Sequence, residues 1–291
     1  MFDKLRVFAS SLLCVLVVVG LLSSSAAYGY TIRQLQETTA ADGTSGHDGE
    51  TVDCAGGVVI KKLARGMPRI LLYDPNSADG WGGIQIKDWS TGAALLNGVA
   101  EGDWVSLTNI PVEEYRGTTF LQYDPLMSST VGFSVVSSGN ALPAPLQVAA
   151  ADIAAPVETQ PEFWMIDNHN AEKYESMFVT VRNVTVTELG LGKGPDNYNL
   201  RAADADVWSS DYLNDDKVGD YDPKVAVGQG FQSVTGLLEQ YTKVRDTYAW
   251  DYYQILTVST ADLVVPEPAS LTLLAVGAAG LLGRKRRAAV R

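Results

Sequence analysis

Histidine-centred chemistry has little to draw on here, because the 291 residues contain two histidines, His47 and His169. His47 lies in Thr44-Ser45-Gly46-His47-Asp48-Gly49 and His169 in Asp167-Asn168-His169-Asn170, both of loop composition. Neither neighbourhood offers a serine on a strand-to-helix turn, the setting a hydroxyl nucleophile needs. Both histidines read as solvated loop residues, and no catalytic residue is assigned. The two cysteines are equally unpromising: Cys14 falls inside an apolar run, and Cys54 alternates with Val52 and Val58 with no basic neighbour before Lys61. A thiol in that setting is a small buried residue, not an activated nucleophile. Zinc ribbons and disulfide frameworks need more thiols than these.

Two other residue groups can bind. Asp215, Asp216, Asp220 and Asp222 crowd one acidic loop, and Asp74, Asn76 and Asp79 another. Oxygen-rich loops suit calcium, but neither has the twelve-residue spacing or the closing glutamate of an EF-hand. Turn formation explains the same residues, so calcium is the one cofactor to consider and no other is expected. Tyr248, Trp250 and Tyr252 share one face of a strand by period two, with Tyr241 upstream. Such a row is either core packing or a stacking platform for flat rings.

The elements that must carry these residues are short strands. Residues 51–61, 69–73, 83–88, 104–115 and 118–123 alternate apolar and polar side chains, with Asp-Pro-Asn-Ser and Asp-Gly turns between them. A helical period is expected only over residues 93–99. The order then returns. Val99-Ala100-x-Gly102 leads into a strand ending Glu113-x-Tyr115, and Val225-Ala226-x-Gly228 into one ending Glu239-x-Tyr241, at an offset of 126 residues. That offset sets Val52 on Phe178, Cys54 on Thr180 and Val58 on Val184. Two copies make a tandem pair rather than a solenoid.

Both ends look like addresses. Lys4 and Arg6 precede an apolar run over residues 7–22 and small residues at 23–27, the composition of a cleavable secretory signal covering residues 1–29. At the other end Pro266-Glu267-Pro268 is followed by an apolar run over 269–283 and then Arg284-Lys285-Arg286-Arg287. The run spans roughly 22 Å as a helix, short for a ~30 Å hydrocarbon core. The basic cluster keeps the terminus cytoplasmic and the rest of the chain outside. In order and spacing residues 265–291 resemble the PEP-CTERM sorting signal of Gram-negative bacteria. The resemblance implies a transmembrane helix over 269–283, a basic tail over 284–291, cleavage near residues 266–268 by an exosortase, and delivery to the cell surface or an exopolysaccharide matrix.

The repeated middle resembles the OB-fold-like modules of exported bacterial proteins, on the opening strands (residues 48–59 and 174–186) and the Val-Ala-x-Gly words. This implies an all-β fold of two tandem OB-like five-stranded barrels over residues 30–138 and 162–265. An Ala/Pro-rich linker over 139–161 joins them, and the signal helix and the transmembrane helix flank them. A β-sandwich is the rival fold. Between the two addresses residues 30–265 hold 15 basic and 32 acidic residues, a net charge of −17. A surface so acidic disfavours nucleic acid, whose binding rests on displacing phosphate counterions. The expectation is an exported, non-enzymatic structural or adhesive protein of the cell surface, handled by signal peptidase and exosortase and in contact with exopolysaccharide. The alternatives are a glycan- or calcium-binding module and, on fold analogy alone, a nucleic-acid-binding OB protein.

Overall fold

The computed structural model describes residues 29–65, 67–77, 79–192, 194–214 and 225–266. The expected signal peptide, the transmembrane helix, the basic tail and the acidic loop with Asp215, Asp216, Asp220 and Asp222 lie outside the described residues. Among the described residues no helix is long and apolar enough to cross a membrane.

The chain begins with α1 (Ile32–Gln36), β1 (Thr51–Leu63), β2 (Arg69–Tyr73), β3 (Gly83–Asp88), α2 (Ala94–Gly98), β4 (Trp104–Tyr115) and β5 (Thr118–Tyr123). β6 (Gly132–Ser137), β7 (Leu146–Gln147), α3 (Ala150–Ile153), β8 (Val157–Gln160) and β9 (Phe163–Met165) follow. After a 3-10 turn at Asn170–Tyr174 come β10 (Phe178–Leu189), β11 (Asn197–Arg201), β12 (Asp206–Ser210), β13 (Gly230–Arg245), β14 (Tyr248–Leu256) and β15 (Leu263–Val264).

Alternation along β1 to β5 sends Val52, Cys54, Ile70, Leu72, Ile84, Ile86, Leu107 and Leu121 to one side, where they form a single core. The strands close around it: β1–β2, β2–β3, β4–β5 and β1–β4 are antiparallel, and β3–β5 is parallel. This is a closed five-stranded barrel in the OB strand order, not a sandwich. The parallel pair needs a crossover, and α2 with β4 supplies it. Ile32 and Leu35 of α1 and Leu95 of α2, all fully buried, join the same core. α1 starts on a capping box between Thr31 and Gln34.

The second sheet makes the same five pairings among β10, β11, β12, β13 and β14, with β12–β14 as the parallel pair. The turns ahead of β4 and β13 also match. Gly102 (φ 89°) donates to the Val59 carbonyl and Gly228 (φ 87°) to the Val186 carbonyl. Val59 then donates to Asp103, and Val186 to Gln229. Val59 therefore corresponds to Val186, an offset of 127, not the 126 that holds for the glycines. Val52 thus sits on Val179 and Cys54 on Val181, not on Phe178 and Thr180. At the 127 offset Gly56 (φ 84°) falls on Asn183 (φ 53°), the two left-handed residues that bend β1 and β10.

Residues 139–161 are not a plain extended linker. β7 pairs with β10, Ala150 and Ile153 of α3 lie in the core of the second sheet, and β8 pairs with β9, which extends that sheet alongside β14. The alanines that suggest a spacer are small enough to pack here.

Candidate functional site

β2 and β3 are buried on both faces, because their outward side chains meet the second sheet. Leu63 and Leu71 share a cluster with Leu213, Leu237, Leu256 and Val258. Arg69 donates to Gln85 at 2.8 Å and to Glu239 at 3.1 Å, and Gln85 donates to Ser176 at 3.2 Å. On the second sheet Trp208 of β12 and Tyr252 of β14 point away from the main core, yet both are buried. Leu191 joins them from the β10–β11 loop and Trp164 from β9. The face that an OB fold commonly offers to ligands, that of its second and third strands, is covered by protein in both halves.

The hairpins after β4 and β13 stay open. Across β13–β14 the register sets Tyr241 opposite Tyr252, Lys243 opposite Trp250 and Arg245 opposite Tyr248. Tyr248 and Trp250 stack at 4.3 Å with 22° between their planes, and Tyr241 tilts against Tyr252 at 5.7 Å. The ammonium of Lys243 lies 5.2 Å from the Tyr248 ring and 5.9 Å from that of Trp250. From the β4–β5 hairpin Arg116 stands 5.3 Å from the rings of both Tyr115 and Tyr241 and donates to the Tyr241 hydroxyl at 2.8 Å. These are ordinary cation–π distances. The phenol of Tyr248 is held below its usual pKa, first by a hydrogen bond with Lys243 and then by the charges of Lys243, Arg245 and Arg116. The indole N–H of Trp250 is buried without a hydrogen-bond partner.

The four expected aromatic residues therefore divide. Tyr252 is core, 1 % exposed. Tyr241, Tyr248 and Trp250 are half-buried and make a ridge at the surface. The cations of the ridge escaped the reading from sequence, although Lys243 and Arg245 continue the period-two row begun by Tyr241. Arg116 could not be found that way, because it arrives from the other half of the chain.

A second polar group lies under the same hairpins. Tyr253 donates to Glu172 at 2.6 Å and contacts His169 at 3.2 Å; Gln240 joins His169 and Asp251. Glu175 accepts from the Thr119 amide at 3.1 Å, and Glu114 accepts from the Thr119 hydroxyl at 2.8 Å. Burial pushes the carboxyls of Glu172, Glu175 and Glu114 up; Glu114 adds to the rise of Glu172, Glu172 and Glu114 to that of Glu175, and Asp48 and Asp42 to that of Glu114. Among the described residues none of the three forms an ion pair with Lys or Arg. His169 is thus packed into a network rather than solvated. His47 bonds Glu50 at 2.8 Å and tilts against Tyr30. Cys54 is 2 % exposed, and burial pushes its thiol up to about 11.

In the other oxygen-rich loop Asp74 accepts from the amide and side chain of Asn76, and Asp79 pairs with Arg33 at 3.0 Å. Those oxygens are engaged in a turn and an ion pair. Among the described residues no three His, Cys, Asp or Glu side chains gather as a metal site.

β15 ends at Val264, opposite Ser233 of β13, and Pro266 follows two residues later. Residues 264–287 match the family model of the PEP-CTERM protein-sorting motif. The chain carries the PEP-CTERM sorting motif. That motif implies export as a membrane-anchored precursor, with an exosortase as the processing partner. No curated protein matches the chain. Among solved structures it is similar to fission yeast Pot1 with ssDNA, at 11 % identity and a TM-score of 0.29 over 80 % of this chain and 85 % of that one. It is also similar to a replication protein A heterotrimer bound to ssDNA, at 11 % identity and a TM-score of 0.24 over 86 % and 71 %. At such scores neither likeness bears on fold or ligand.

Proposed function

We propose that this PEP-CTERM protein works at the cell surface or in the extracellular matrix as a non-enzymatic binding protein. In this reading its body is a tandem of two OB-like barrels that arose by duplication. Its contact with the matrix is the ridge of Tyr241, Tyr248 and Trp250, which holds a saccharide ring. One observation carries the reading: the hairpin tips keep half-exposed stacked rings while the strand faces that OB folds normally use are filled by the protein itself. Aromatic rings hold sugars by stacking on their C–H faces, and a rigid pre-stacked pair loses little freedom on binding. The covered strand faces are closed to a nucleic-acid strand, and the net charge of −17 opposes one. Replacing both Tyr248 and Trp250 with alanine is expected to abolish retention of the protein in gels of the host's own exopolysaccharide, with the melting temperature little changed. Unchanged retention would refute the reading. Intact-mass analysis of protein recovered from the cell surface tests the processing step; it is expected to show a chain ending near residues 266–268.

A further inference from the structure

Arg116, Lys243 and Arg245 meet at one place on a body whose net charge is −17. Arg116 comes from one barrel, and Lys243 and Arg245 from the other. Lys243 and Arg245 pair directly with the stacked rings across β13–β14, and Arg116 is locked to Tyr241 by its hydrogen bond. The tip of the first hairpin is itself fixed, because Thr242 donates to the Arg116 carbonyl at 2.7 Å. The three groups that act on the Tyr248 hydroxyl through their charge are all cations. The ridge thus sets three cations, against the carboxylate of Asp246 in the same turn, beside flat rings. A neutral sugar has no use for the cations.

We propose that the ridge selects an acidic polysaccharide, whose ring stacks on Tyr248 and Trp250 while its carboxylate or sulfate meets Lys243, Arg245 and Arg116. This rests on the ridge being the saccharide site. Three cations suit a polymer with an occasional charged sugar. They are too few to offset the repulsion between this body and a nucleic acid, which carries a phosphate at every step. Guanidinium groups also match carboxylate and sulfate oxygens in geometry.

The test is titration of the full chain in neutral detergent with a sparsely oxidised polyuronate, in which only an occasional sugar carries a carboxylate, with the parent neutral glucan and with poly-dT at 20 and 200 mM salt. Polyuronate is expected to bind at least tenfold tighter than glucan at low salt. That preference should fall about tenfold at high salt and in the Lys243→Gln/Arg245→Gln variant. Both changes are at or near the surface and leave the Arg116 bond intact, so an unchanged melting temperature shows that the fold has survived. Equal binding of glucan and polyuronate overturns the charge selection and leaves the saccharide site standing. Binding of neither overturns both. Tighter binding of poly-dT that is lost in the same variant overturns the proposal in favour of nucleic acid.

Discussion

Tyr253 and Glu172 share a hydrogen bond of 2.6 Å at the seam between the two halves, where among the described residues no lysine or arginine pairs with the carboxyl. Glu172 is pushed up to about 8 by burial first, with the charges of Glu114, Asp251 and Asp42 adding to it, and Glu175 is raised by burial and by Glu172. A carboxyl whose folded-state pKa exceeds its unfolded value of about 4.3 holds its proton more tightly in the folded protein. Its stabilising contribution is complete below that unfolded value and disappears as pH rises through the raised one. The melting temperature is therefore expected to fall from pH 6 to pH 9, on the order of 5 °C. Glu172→Gln, which keeps the shape without the ionisation, should flatten the slope. Parallel slopes for the two proteins would show that the titration lies elsewhere.

The two halves of the chain are expected to unfold as one. Leu71 and Leu237 belong to the apolar cluster that joins them and are fully buried. Truncating either to alanine should cost about 2–5 kcal/mol. Urea denaturation followed by fluorescence should show one transition for the parent and a broadened or split one for Leu71→Ala.

Arg69 anchors the same seam through Glu239 and Gln85. Arg69→Met strands the Glu239 carboxylate in a half-dry place and should destabilise by about 3–5 kcal/mol. Adding Glu239→Leu removes the stranded charge and should recover most of that loss in the same denaturation assay.

The bend in the first strand of each half gives a paired expectation. A Cβ on Gly56 would lie 1.7 Å from the Val105 carbonyl oxygen, in a left-handed backbone. Gly56→Ala should cost about 3 kcal/mol or more, since both strain and a clash with backbone must be relieved. Asn183 takes the equivalent conformation with a side chain already in place. Asn183→Gly should change stability by about 1 kcal/mol or less. Thermal melts of the two variants check the contrast.

Much of the first barrel could be read from alternation alone. Residues 69–73, 83–88, 104–115 and 118–123 are strands with the expected bounds, and the weak helical period at 93–99 is α2. Period two and turn chemistry are local properties, so a single segment reveals them. The closing of the ring was not legible in that way, because it depends on which strands meet. The seam was hidden for the same reason: Glu172 and Glu175 are buried by groups far along the chain, Tyr253 for the first and Thr119 for the second. The 126 offset likewise missed by one at the opening strands, since alternation within a strand does not count the residues in the loops that follow it. At the ridge the rings were visible as a row on β14, but that Tyr252 lies inside the cluster of Trp208 and Leu191 while Trp250 packs at its edge depends on other strands.

The end of β15 sets how the molecule can stand. Val264 is held in the sheet and Pro266 lies two residues on, a span of at most about 7 Å. An attachment made at residues 266–268 would mount the body directly on its support, with no slack cable to swing on. A protein so mounted explores no volume beyond its own height. If it binds a polymer as proposed, the polymer would have to come to it, and the capacity to hold it would grow with the number of neighbours standing on the same surface, not with the reach of any one of them.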